Sequence, residues 1–278
     1  MSKRNYRSVL LFISILFLFM SCTQNNKQLL EQADIAVEKQ PDSALILLSK
    51  IENPHYLEKK EKADYWRIRS EAHCQKSLAM TTDSLILFSL KYYQEDNDTI
   101  NMLDTYLLAG EHYKWERKLD SVSYILNLGL SKAIAIKDSI YISQYLYQLG
   151  SNELFRNENK EATKYFKERI KFGKNAYDSY YLVSIFSSDD STLYYLNKGV
   201  ELALEKQDTL SAAHYLRNYA GIYLKNKNYN KAIELINKTG ELSDFYKDFG
   251  ANYQLLTRVY LAKEKIDSAQ YYLNKAKN

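Results

Sequence analysis

Residues 214–239 read HYLRNYAGIYLKNKNYNKAIELINKT, and this stretch decides the fold. Leu216, Tyr219, Ala220 and Tyr223 recur at i, i+3, i+4 and i+7, the spacing that collects side chains on one face of a helix. Ala232, Leu235, Ile236 and Thr239 repeat the pattern after a break. Between them, Lys225-Asn226-Lys227-Asn228 is too polar to bury and reads as a turn. Two short helices therefore lie back to back, and the small Ala220 is expected where they approach most closely.

The composition extends this reading to the rest of the chain. Of 278 residues, 46% are hydrophobic, and only 2 Pro and 8 Gly interrupt them, which favours long helices over many short strands. Both prolines fall at helix boundaries. A helix over Leu29–Lys39 is closed by Gln40-Pro41. A second opens at Asp42-Ser43-Ala44, buries Ala44, Leu48 and Ile51, and ends at Asn53-Pro54. The 26 Tyr suit packed helices, because the ring packs while the hydroxyl reaches water.

The Asp-Ser-X opening recurs at Asp83-Ser84, Asp120-Ser121, Asp190-Ser191 and Asp267-Ser268. Asp or Ser there is expected to accept hydrogen bonds from the free amides of the helix start. Lys160-Glu161-Ala162 and Asn230-Lys231-Ala232 open the other two segments. The third residues, Ala44, Leu85, Val122, Ala162, Thr192, Ala232 and Ala269, recur at intervals of roughly 40 residues, one of them only about 30. Four residues after these marks stand Leu48, Ser89, Leu126, Phe166, Leu196, Ile236 and Leu273. Twelve before the later marks stand Gly110, Gly150, Ala220 and Thr257, with Tyr113, Tyr223 and Tyr260 three further on. Glu153 breaks the aromatic series, and Leu154 and Phe155 beside it are its expected substitutes. The short interval leaves room only for a reduced first helix, about Tyr177–Phe186, before the polar break Ser187-Ser188-Asp189-Asp190.

This register resembles the tetratricopeptide repeat (TPR), a helix-turn-helix unit of ~34 residues with small, aromatic and bulky residues at fixed places. The resemblance implies an all-α fold, a right-handed α-α superhelix (a TPR-like solenoid) of about seven helix pairs over residues 28–278. TPR arrays usually end in a polar capping helix. Here the last repeat helix, Ser268–Ala276, is expected to leave its stacking face to Tyr271 and Tyr272 or to a partner.

The formal net charge of +4 is concentrated at one end. Lys3, Arg4 and Arg7 precede an apolar run, Val9–Met20, with no acid among residues 1–21. Basic and acidic residues elsewhere nearly balance, so no nucleic-acid footprint is expected. The apolar run, about a dozen residues, suits a signal peptide and falls short of the ~20 that span a membrane. Cys22 after the small Ser21 resembles a bacterial lipobox, with Phe19 where that motif usually has Leu. The resemblance implies a signal peptide over 1–21, lipidation of Cys22 and a tether over 22–27. With Pro41-Asp42-Ser43-Ala44-Leu45-Ile46-Leu47-Leu48, Asp83-Ser84-Leu85-Ile86 and Tyr92-Tyr93, the chain resembles the TPR lipoproteins of the Bacteroides group. It implies a membrane-anchored lipoprotein, and because no acidic residues follow Cys22 a periplasm-facing position on the outer membrane is expected, with surface exposure left open.

Catalytic signals are missing. His55, His73, His112 and His214 have no metal-ligand spacing, and there is no phosphate loop or nucleophile elbow. No enzymatic activity, metal or cofactor is expected. Cys74, with Cys22 lipidated, has no disulfide partner and is expected to be an inert thiol. In TPR domains the first helix of each pair lines the groove. The resemblance places Asp104, Glu111, Trp115, Gln144, Tyr147, Ser151, His214, Arg217, Asn218 and Arg258 there, with Arg217 and Arg258 able to hold an acidic group together. Two functional readings stay open. One is an interaction scaffold for another envelope protein or peptide. The other is an extracytoplasmic sensor of peptides or glycans, related to longer TPR regulators.

Overall fold

The computed structural model describes residues 25–76, 78, 83–173, 176–186, 191–247 and 249–277. The expected signal peptide, Cys22 and the break at 187–190 lie outside these. The described chain divides into two compact units, one up to Tyr141 and one from Ile142.

The first unit contains a helix over residues 25–37 (α1), which takes in the end of the expected tether. It continues with α2 (Pro41–Ser49), a 3₁₀ turn (Pro54–Tyr56), α3 (Lys59–Gln75), α4 (Asp83–Asp96), α5 (Thr99–Trp115) and α6 (Leu119–Ala135). Helix α7 (Ser139–Phe155) carries the chain into the second unit. There follow α8 (Asn159–Phe172), α9 (Tyr177–Phe186), α10 (Thr192–Glu205), α11 (Thr209–Lys225), α12 (Tyr229–Leu242), the one-turn α13 (Asp244–Lys247), α14 (Gly250–Ala262) and α15 (Ile266–Lys277). There is no strand among the described residues. Within each unit successive helices pack on one another, α2 to α6 in the first and α8 to α12 in the second. The quoted stretch forms α11, the turn and α12 as expected, and the reduced first helix is α9.

The small-against-bulky register is physical contact. A Cβ built on Gly110 would lie 2.6 Å from Leu126 Cδ2, and one on Gly150 would lie 2.6 Å from Phe166 Cε1. These pairs are the small and bulky positions of one repeat, so the glycines are there to let two helices close. Leu48, Ser89, Leu126, Phe166, Leu196 and Ile236 are all buried, whereas Leu273 is 37% exposed. Ser89 is the polar exception in that series, and its hydroxyl is satisfied by donating to the Ala63 carbonyl at 2.9 Å. Leu154 packs on the core beside Phe166, whereas Phe155 points outward.

The helix starts differ from expectation. Asp42, Asp120 and Asp267 lie inside the first turn of their helices, where they favour the dipole but do not occupy the capping position. Side-chain caps are found on other helices, at Asp98 of α5, Asp138 of α7, Asp208 of α11 and Asn228 of α12. Their side chains accept from the amides of Asn101 (3.2 Å), Ile140 and Tyr141 (2.9 and 3.1 Å), Ser211 (3.0 Å) and Lys231 (3.3 Å). Each of these residues also closes the helix before it. Their own N–H groups donate to the carbonyls of Tyr93, Ala133, Ala203 and Tyr223 at 2.8–3.1 Å. The preceding Asn97, Lys137, Gln207 and Lys227 sit in the left-handed region at φ 58–60°. One residue thus ends one helix and starts the next, which keeps the turns so short.

In the first unit the core gathers Leu48, Trp66 and Ile68, and the buried Arg67 guanidinium is paired with Asp34 and Glu71. In the second, Tyr215, Leu216, Ala220, Leu235, Ile236, Leu256 and Val259 belong to a cluster spanning α10 to α14. Buried Tyr93 and half-buried Tyr177 place their hydroxyls on carboxylates, Asp64 at 2.7 Å and Asp208 at 2.9 Å.

Candidate functional site

The second unit assembles two adjoining pockets along α11. The first, of about 440 Å³, is lined by Tyr147, Asp178, Tyr181, Leu182, Leu210, Ser211, His214, Tyr215, Phe245 and Tyr246. Helix periodicity explains the α11 contribution, because Leu210 and Ser211 lie one turn from His214 and Tyr215. The floor is aromatic. Tyr181 stacks on Tyr215 with ring centres 4.4 Å apart and planes at 16°. Phe245 and Tyr246 come from α13, the short helix following α12, and Phe245 is 62% exposed.

His214 sits between two phenols. Its Nε2 lies 2.9 Å from the Tyr181 hydroxyl and its Nδ1 3.1 Å from that of Tyr246. Asn218 donates from Nδ2 to the same Tyr181 oxygen at 3.0 Å and to the His214 carbonyl at 2.9 Å. Burial, and then the Arg217 charge, hold the imidazole below its ordinary pKa of 6.5. A neutral ring fits, since one nitrogen can donate while the other accepts. The pocket's acid, Asp178, is engaged by Arg169 Nη1 at 2.5 Å, and that guanidinium also lies 4.6 Å from the Tyr147 ring centre.

The second pocket, of about 250 Å³, is lined by Arg217, Asn218, Gly221, Ala251, Gln254, Leu255 and Arg258. It holds two guanidiniums and no acid. Arg217 lies over the Phe249 ring at 5.8 Å, and its Nε is buried with no hydrogen-bond partner. Among the described residues neither Arg217 nor Arg258 meets a carboxylate. A Cβ on Gly221 would meet nothing within 4 Å, so the pocket is open on that side.

Of the expected groove residues, His214, Arg217, Asn218, Arg258 and Tyr147 thus come together on these two pockets. Gln144 is exposed and Ser151 half-buried, and neither lines them. The remaining three belong to the first unit. Asp104 accepts from the Tyr141 hydroxyl at 2.7 Å, Glu111 pairs with Lys114 at 3.2 Å, and Trp115 is 50% exposed. Burial raises the Asp104 carboxyl above its usual range. A third cavity, of about 390 Å³, lies in the first unit beside Lys27, Glu31, Asp34, Glu58, Lys60, Glu61, Asp64 and Arg67, and two ion pairs cross its lining, Arg67 with Asp34 and Lys60 with Asp64 at 2.9 Å.

Sequence reasoning missed Tyr181, Phe245, Tyr246 and Gln254. The signal for two of these was an aromatic-rich segment, Phe245-Tyr246-Lys247-Asp248-Phe249, in what reads as a linker. No group of histidine, cysteine and acidic residues placed to hold a metal occurs among the described residues. Burial pushes the Cys74 thiol up to about 11, which suits a thiol that stays protonated.

Neither a family model nor a curated protein matches the sequence. Solved structures do match. The chain is similar to a signal-transduction ATPase with numerous domains that carries a tetratricopeptide repeat sensor, from Pyrococcus horikoshii. The TM-score is 0.76 at 18% identity, covering 99% of this chain and 45% of that one. It is similar to aspartyl phosphate phosphatase F from Bacillus subtilis, with TM-score 0.61 and 14% identity over 98% of this chain and 74% of that one. It is also similar to a Rap protein complexed with competence and sporulation factor, with TM-score 0.59 and 15% identity over 91% and 74%. The fold class is therefore all-α, a TPR-like helical repeat.

Proposed function

We propose that this chain is a protein- or peptide-binding TPR-like module that uses the α11–α14 face and is held at a bacterial membrane by lipid on Cys22. The observation that carries the binding reading is the pair Arg217 and Arg258. A guanidinium with a buried, unpartnered N–H bears a desolvation cost that a ligand carboxylate would relieve with charge-assisted hydrogen bonds. Aromatic and Arg side chains on two adjoining pockets are also the composition that binding hot spots favour. Two of the structural neighbours point the same way. One is described as having a tetratricopeptide repeat sensor, and another is a complex with competence and sporulation factor. A third is named a phosphatase, but similarity at 14% identity carries no activity to this chain. The basic n-region, the apolar run and Cys22 support the anchor, and the lack of acidic residues just after Cys22 supports a periplasm-facing location. A scaffold for an envelope partner follows from these features together.

The test is a quantitative mass-spectrometric pull-down of the lipidated protein from native membranes, beside an Arg217→Glu/Arg258→Glu variant. A partner enriched by the parent and lost with the variant supports the reading. A partner enriched equally by both, or no partner, contradicts it. Cys22→Ala should move the protein out of the membrane fraction, and unchanged fractionation would remove the lipid anchor from the proposal.

A further inference from the structure

The two pockets share a wall. Asn218 lines the basic pocket, Tyr181 and Tyr246 line the aromatic one, and His214 is hydrogen-bonded to both tyrosines while Asn218 bonds to Tyr181. A divider tied at both ends cannot slide, so the distance between the pockets is fixed by α11. Leu210, Ser211, His214 and Tyr215 serve one pocket, and Arg217, Asn218 and Gly221 the other. Their midpoints on α11 are about six residues apart, or about 9 Å at the rise of ~1.5 Å per residue.

That distance selects a peptide geometry. A pleated strand puts side chains on one face at i and i+2, about 7 Å apart, or at i and i+4, about 13 Å apart. A polyproline-II segment turns once every three residues at ~3.1 Å each, which brings i and i+3 to one face about 9 Å apart. Charge complementarity sets one end: two guanidiniums without an acid call for a carboxylate. The other end is a pocket walled by Tyr147, Tyr181, Leu182, Leu210 and Tyr215, whose acid is occupied by Arg169, so it suits a bulky apolar group.

We infer that the ligand of this face is an extended, polyproline-II-like peptide segment carrying a carboxylate and a bulky apolar or aromatic side chain about three residues apart. The inference rests on the binding reading above and adds the ligand's pattern to it. Phe245, exposed on α13 at the aromatic pocket, covers the apolar side chain, and Asn218 and Gln254 flank the carboxylate.

The test uses fluorescein-labelled, blocked peptides with one Glu and one Phe in a Pro/Ala background. Their separation is walked from one to five residues in both orders, and binding to the full chain is read by fluorescence anisotropy. The comparison proteins are Arg217→Gln/Arg258→Gln and Gly221→Met, which places a side chain in open space. Each is first shown to melt cooperatively like the parent. The expected result is an affinity maximum at a separation of three, roughly tenfold above separations of one and five. The double arginine variant should lose the preference for Glu over Gln but keep that for Phe over Ala, and Gly221→Met should weaken Glu-containing peptides. Binding lost with the arginine variant but indifferent to spacing would overturn the two-pocket pattern and leave the binding site standing. No binding by the parent, or binding that neither variant changes, would overturn both.

Discussion

Gly221 and Gly150 are both helical glycines, and their surroundings give them opposite roles. A Cβ at Gly221 meets nothing within 4 Å, so Gly221→Ala should stabilise the protein by about 0.5–1 kcal/mol through helix propensity alone. Denaturant unfolding would check this, and a loss of stability would show that the space is filled. At Gly150 the Cβ would strike the rigid ring edge of fully buried Phe166. Gly150→Ala should cost about 1 kcal/mol net, overpacking exceeding the propensity gain. Adding Phe166→Leu should recover part of that cost, and additive losses in the double mutant would contradict the contact. His214 makes a pH prediction. Its folded pKa lies below the ordinary 6.5, so on acidification the unfolded chain takes up the proton first. Stability should therefore fall as pH drops from about 6.5 toward the folded value, and His214→Gln should flatten that part of the profile. An NMR titration midpoint for His214 at or above 6.5 would contradict the half-buried setting between Tyr181 and Tyr246.

At the level of helices, the register of small and bulky residues was legible because packing repeats at fixed spacing along a helix. Gly110 faces Leu126 and Gly150 faces Phe166 as that spacing requires. The caps were not. The repeated Asp-Ser dipeptide draws the eye, yet Pro41, Leu119 and Ile266 begin their helices and carry the aspartates one residue inside. The true caps, such as Asp208, are set by the turn, where the same residue must also close the previous helix. Such turns hold non-glycine residues in the left-handed region. Lys227 has φ 60° without the Asn or Gly that tolerates it, so Lys227→Gly should remove a strain of about 1–2 kcal/mol less about 0.5–1 kcal/mol for the entropy of the added glycine, a net gain of a few tenths to 1 kcal/mol. A melting temperature that falls would show that the lysine side chain is holding the turn. Helix α13 escaped reading for a different reason. Four residues are too few to show a period, and its Phe245 and Tyr246 gain meaning only when α11 places His214 beside them.

On the scale of the molecule, half of the expected groove residues converge in the second unit, on pockets that share α11. Tyr147, His214, Arg217, Asn218 and Arg258 were legible because the repeat register says which helix face is turned from the core. The aromatic partners from α9 and α13 were not, since they lie in the two places where the register is irregular. The first unit's expected residues, Asp104 and Glu111, are held by neighbours of their own, which argues for recognition through the second unit. The central claim is that a partner's acidic segment sits against Gly221, Arg217 and Arg258. The most direct measurement is site-specific photocrosslinking in native membranes, with a benzophenone amino acid at position 221 and, as a control, at exposed Tyr124 in the first unit. Position 221 should yield a crosslinked protein that disappears with Arg217→Gln/Arg258→Gln and is missing from position 124. Crosslinking from 124 alone, or from 221 regardless of the arginines, would contradict the claim.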